Sequence, residues 1–214
     1  MGRQLGRSSI VEVNLVNVTR NNLRTRDRLI DSAAQHFAEF GLDGASLRQI
    51  ALDSEITPAA VYNHFPGGKM ELYAAVMTIV ADALGDLAIG KIDDPDRPVE
   101  VILQSAEQLW RFFERHPDIA KLLAREAIAH EENARDYFES CLESAKAIEV
   151  FLITAIEAKK VRPVEPKFFL MWTASVLINF HGKPMLRNFL YRDLPNDVAL
   201  KHLLEQVDRE LRLP

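Results

Sequence analysis

A single cysteine, Cys141, stands among the 214 residues. That excludes an intrachain disulfide or a cysteine-rich metal site and suits a reducing cytosol. Its neighbours Tyr137, Leu142 and Ala145 recur at helical spacing, as around a buried structural thiol. Long apolar runs are missing too: no stretch approaches the ~20 residues that a bilayer-spanning helix needs. The N-terminal IVEVNLVNV is too short and too polar for a signal-peptide core. It alternates, as a short strand or an unstructured arm would. After residue 20 no segment sustains strand alternation, and there is no internal repeat or low-complexity stretch. Catalytic motifs are equally scarce. The six histidines, at 36, 64, 116, 130, 181 and 202, form no HExxH. FPGGK lacks the spacing of a phosphate loop, and Met70 follows its lysine. Glu126 and His130 lie one helical turn apart, a spacing more often seen in surface pairs than in metal sites. No local Ser/His/Asp set stands out. These absences argue against an enzyme, a bound cofactor or a membrane protein, and for a cytoplasmic one.

Charge is unevenly spread. The net value is −5, yet residues 1–30 hold six arginines (3, 7, 20, 24, 26, 28) against Glu12 and Asp27. The first thirty residues therefore carry +4 and the remainder −9. A basic end that meets phosphate and an acidic body in solvent would produce this pattern. For residues 1–20 alone, a solvated tail explains it equally well.

Nearly everything after Asn22 has helical periodicity. The first helix carries Leu29, Ile30, Ala33, Phe37 and Phe40, and Gly41 stops it. Ser46 caps a short second helix with Leu47, Ile50 and Ala51 facing inward. Thr57 caps a third, with Pro58 at the first helical position, where its missing N–H costs nothing. That helix ends near Phe65-Pro66, Gly67-Gly68 turn the chain, and a long helix runs through Leu87. The stretch GKIDDPDRP, Gly90 to Pro98, is the clearest break. Helices then follow from about Val99 to Arg115, in short pieces to about His130, and from about Asn133 to Lys160. Two more run from about Lys167 to His181, continuing to Tyr191, and from Asn196 to Arg212. The fold class is all-α.

Two short amphipathic helices joined by a few polar residues, the second opened by Thr-Pro, make a helix-turn-helix. With Ala60, Val61 and Phe65 facing inward, Thr57, Pro58, Ala59, Tyr62, Asn63 and His64 are left to meet DNA. Asn63 is the best candidate base reader, since a carboxamide can pair with adenine in the major groove. Pro58 and Ala59 offer apolar contact to a thymine methyl. Ser46, Arg48 and Lys69 would position the backbone.

The pieces LIDSAAQHFAEFGLDGASLRQIA, TPAAVYNHF and KMEL, in that order, resemble the DNA-binding domain of TetR-family transcriptional regulators. The likeness covers about a quarter of the chain. It implies a homodimer on a near-palindromic double-stranded DNA operator, released by a small-molecule effector. It also implies phosphate contacts from Tyr62, His64 and Thr57. The implied organisation is a basic arm (1–22), a helix-turn-helix domain (23–72) and a helical effector-binding and dimerisation domain (73–214). The sequence departs from the family twice. Glu55 stands where the turn usually has Gly, and Phe65 and Lys69 are four apart rather than three. Readings that compete with a repressor are an activator, a regulator without a ligand, and a carrier or enzyme with a vestigial helix-turn-helix.

The second half is rich in large flat side chains. Trp110, Phe113, Phe138, Phe151, Phe168, Met171, Trp172 and Phe180 are ordinary core singly, but together they could line a cavity for an apolar or aromatic effector. His181, Asn179, Arg125 or His130 would supply its polar anchors. Leu200, Leu203, Leu204, Val207 and Leu211 make an apolar stripe that suits a dimer interface.

Overall fold

The computed structural model describes residues 20–89, 94–127, 146–183, 187–189 and 194–213. Most of the basic arm, together with His130, Phe138 and Cys141, lies outside them. Every regular element among the described residues is helical: the fold is all-α. Helix α1 spans Arg20–Gly44, α2 Leu47–Asp53, α3 Pro58–His64 and α4 Lys69–Ile89. Then come α5 Pro98–Arg115, α6 Pro117–Glu126 and α7 at residues 146–157. Helices α8, Pro166–Gly182, and α9, Asn196–Leu211, complete the fold. No helix among the described residues is long and apolar enough to cross a membrane.

Local chemistry accounts for the breaks. Gly41 adopts φ 73°, ψ 177°, which interrupts α1 without ending it. The Ser46 hydroxyl accepts the Gln49 N–H at 3.4 Å, and the Thr57 hydroxyl accepts the Ala60 N–H at 3.3 Å. Each satisfies a donor that the first turn of a helix leaves open. Between α5 and α6, Pro117 pushes His116 out of helical geometry, to φ −125°, ψ 63°. The predicted end of the α8 region at Tyr191 falls outside the described residues, of which 187–189 are helical.

The first three helices share a core with α4. Leu29, Ile30, Phe37, Ile50, Val61 and Tyr73 are fully buried, and the Phe37 and Tyr73 rings meet edge-on at 5.1 Å. Helix α6 packs against both α1 and α8, while α9 packs on α5. The last contact overturns one expectation. Leu200, Leu203, Val207 and Leu211 are buried inside their own chain, and only Leu204 of the stripe stays partly open. An amphipathic helix buries its apolar stripe on whatever core is nearest. Here that core is the chain's own, so the four residues hold α9 in place and offer no surface to a second subunit.

Candidate nucleic-acid interface and effector site

Helix α3 is anchored through Val61 and, just past its end, Phe65, both buried. Its other side is open: Thr57, Pro58, Ala59, Tyr62 and Asn63 are exposed and His64 is half-buried. Tyr62 leaves 53% of its surface in solvent, an unusual place for a large ring without a partner to cover it. Ser46 and Arg48, at the start of α2, are exposed as well. The Arg26 guanidinium lies 5.1 Å above the Phe65 ring and braces the end of α3.

The turn between α2 and α3 is a Schellman motif. Ile56 N–H donates to Ala51 O and Glu55 N–H to Leu52 O, both at 3.0 Å. Glu55 occupies its left-handed position at φ 59°. The carboxylate is paired with Arg28 at 2.8 Å, on the surface. A non-glycine residue there costs ~1–2 kcal/mol, and an exposed ion pair returns under ~1 kcal/mol. Glu55→Gly, less the extra chain entropy of glycine, is therefore expected to stabilise the fold by up to ~1 kcal/mol. Urea unfolding checks this: a lower midpoint for Glu55→Gly would show that the Arg28 pair dominates.

The added residue before Lys69 is absorbed by the turn. Gly68 takes φ 66°, and Gly67 N–H donates to the Glu71 carboxylate at 2.6 Å. Lys69 Nζ then donates to Asp43 O at 3.0 Å and Ala45 O at 3.2 Å. An ammonium has three donors, so one is left for phosphate. Nearby, hydrogen bonds from His36 and then Gln49 hold the Asp53 carboxyl below its usual range.

In the second half, Trp110 and Phe113 of α5 meet Phe180 and His181 of α8. Trp110 lies 4.6 Å from Phe180 and 4.6 Å, edge-on, from His181; Phe113 lies 6.4 Å from His181. Burial, which Glu114 opposes and Arg187 reinforces, lowers the His181 pKa to about 4, so the ring is neutral near pH 7. Three expected site residues are thus brought together. Others are not. Trp172 is half-buried and its ring contact is with Phe169, at 6.3 Å; Phe151 is half-buried on α7. Met171 is 59% exposed and Phe168 63%, so both face outward from α8. Asn179 Nδ2 is spent on Ser175 O, one turn back.

Arg125 has a different task from the one expected of it. Its guanidinium donates to Glu39 O at 3.3 Å and Phe40 O at 3.2 Å, near the end of α1. One turn earlier on α6, Lys121 pairs with the Glu39 carboxylate. Space for Arg125 exists because residue 41 is glycine: a Cβ there would sit 2.6 Å from Arg125 Nε. The clip joins residues some 85 positions apart, and no local pattern announces it.

Comparison with known proteins agrees with this geometry. Residues 29–76 match the family described as bacterial regulatory proteins, tetR family. The chain is 25% identical over 112 residues to the HTH-type transcriptional repressor NicS of Pseudomonas putida, covering 52% of each. It spans about half the length of that curated relative. Two solved structures share its fold. The TetR family transcriptional regulator PfmR from Thermus thermophilus is 20% identical, with a TM-score of 0.66 over 93% of this chain and 99% of that one. AibR in complex with isovaleryl coenzyme A and operator DNA is 18% identical, with a TM-score of 0.66 over 86% and 97%.

Proposed function

We propose that the chain, whose residues 29–76 match the tetR family of bacterial regulatory proteins, is a homodimeric repressor released from operator DNA by a small molecule. The observation that carries the reading is the exposed side of α3, held at one end by the Thr57 cap and at the other by Phe65 under Arg26. A short helix presented this way fits a major groove. Residues 23–72 form the DNA-binding unit, residues 73–214 the effector and dimerisation unit, and residues 1–22 a basic arm.

Tyr62, His64 and Thr57 act on phosphates, with Ser46, Arg48 and the free donor of Lys69. Tyr62→Ala or His64→Ala is then expected to weaken binding to all sequences alike, since phosphate contacts carry no base information. Asn63→Ala is expected to relax preference at one base pair per half-site by roughly 1–3 kcal/mol. Footprinting on DNA flanking the gene measures both. Unchanged affinity in all three variants removes the recognition-helix assignment.

Dimerisation uses the outer side of α8, where Phe168 and Met171 stand exposed almost one turn apart. Met171→Glu is expected to give folded monomers that have lost operator binding, because two half-sites need two subunits. Leu203→Glu, aimed at a buried position, unfolds the chain instead. Sedimentation with circular dichroism separates the two outcomes; a Met171→Glu protein that stays dimeric places the interface elsewhere.

The effector binds among Trp110, Phe113 and His181. Helix α6 stands between that cluster and α1, gripping α1 through Lys121 and Arg125. An effector that releases DNA must bind the DNA-free arrangement more tightly, and the effect is reciprocal.

A further inference from the structure

We propose that Trp110 and His181 are the polar anchor of the effector site, and that the effector is a compact apolar molecule bearing a hydrogen-bond-accepting oxygen, a carboxylate or a carbonyl. The inference rests on the effector-released reading above. It starts from two atoms. Trp110 Nε1 and His181 Nε2 are both buried, and neither has a hydrogen-bond partner among the described residues. The residues themselves are 1% and 7% exposed, with their rings edge-on at 4.6 Å. Buried polar atoms in native proteins are nearly always satisfied, and two orphans side by side mark a place where a partner is missing.

The chemistry of the missing partner follows from the atoms that lack it. An indole N–H only donates, so the partner must present an acceptor to Trp110. Imidazole Nε2 serves an acceptor or a hydroxyl, according to its tautomer. Among the described residues, the nearest hydrogen-bond network is engaged elsewhere. Glu114 accepts from Asn196 at 2.7 Å and from Arg111 at 3.1 Å, and Asn196 accepts from Arg187 at 2.5 Å. That network runs beside the pair without reaching it. A cationic ligand is disfavoured because an ammonium presents no acceptor to the indole N–H; the Arg187 guanidinium, 4.8 Å above the Phe180 ring, offsets part of the negative field that Glu114 sets at His181. The surrounding Phe113 and Phe180 rings suit a flat or aliphatic body.

The test follows the indole N–H proton by NMR in the full-length protein, whose two tryptophans, Trp110 and Trp172, are distinguished with Trp110→Phe. The probes are phenylacetate, phenylacetone and phenethylamine, alike in size and differing in the polar group. One or both oxygen-bearing probes should move the Trp110 resonance downfield, and which of them does so separates carboxylate from carbonyl. Phenethylamine should leave it in place. Trp110→Phe should weaken the responding probe roughly three- to tenfold, the scale of one hydrogen bond. No downfield shift with either oxygen probe at millimolar concentration overturns the proposal. An equal response to the amine, or undiminished affinity in Trp110→Phe, does the same. DNA binding by the same preparation is recorded in parallel. Intact operator binding with no probe response sinks the anchor alone, whereas a wild-type protein that binds no promoter DNA sinks the repressor reading.

Discussion

Gly182→Ala is expected to cost about 2 kcal/mol of stability and to weaken operator binding, although residue 182 lies far along the chain from the DNA-binding helices. A Cβ at Gly182 would stand 2.5 Å from Ala120 O, 2.6 Å from Ala120 C and 2.8 Å from Lys121 N. All three are backbone atoms, so no side chain can rotate away and α8 must move from α6. Overpacking of this kind costs ~1–3 kcal/mol, occasionally more. The better helix propensity of alanine offsets up to ~1 kcal/mol of it. The functional consequence comes from what α6 carries. A displaced α6 takes Lys121 and Arg125 with it, and these hold the end of α1. Urea unfolding at constant slope measures the first effect, and gel shift the second. A stability gain of ~1 kcal/mol, the propensity effect alone, would show that the two helices yield easily.

Acid should destabilise the protein through His181. Its folded pKa of about 4 lies below the unfolded value near 6.5, because burial penalises the charged ring. Between those values the unfolded chain binds the proton and the folded chain resists it. Stability is therefore full above pH ~6.5 and declines as pH falls towards 4, by on the order of 3 kcal/mol in the limit. Glu114 on α5 faces the ring and raises its pKa, while Arg187 lowers it. Burial is the largest influence on the Glu114 carboxyl and raises it, but hydrogen bonds from Asn196 and Arg111 together with the charges of Arg111 and His181 leave it lowered, so its own loss comes at more acid pH. Melting temperatures from pH 7.5 to 4.5 should fall for the wild type and fall less for His181→Gln. Parallel curves for the two proteins would place the acid sensitivity in other groups.

The caps show how far local rules reach. Ser46 and Thr57 accept the N–H bonds that their type and position predict, and Pro58 opens α3. These interactions span three or four residues, so they can be read along the chain. Gly41 is a mixed case. Its position in a helical pattern foretells the interruption of α1, where φ 73°, ψ 177° calls for glycine, yet the Arg125 guanidinium that packs over it belongs to a different helix. Lys69 is similar: its place at a helix start is legible, but the carbonyls of Asp43 and Ala45 that hold it are not.

The apolar stripes mark the limit more sharply. Leu200, Leu203, Val207 and Leu211 have the periodicity of an interface and are core, while Phe168 and Met171, which read as lining, lie outside. Periodicity reports that one side of a helix avoids water; it holds no information on which surface does the covering. Nor does it distinguish Trp110 and His181, which become neighbours only when α5 and α8 pack together. The sequence by itself thus determined the all-α class, the caps that open α2 and α3 and the exposed side of α3, because capping, proline geometry and hydrophobic period act within a few residues. Tertiary structure alone decided that α9 serves the core, that α6 clips α1, and that two ring nitrogens without a partner among the described residues meet in the interior. Those outcomes depend on which helices touch, and contact between distant segments is settled by shape, burial and charge together.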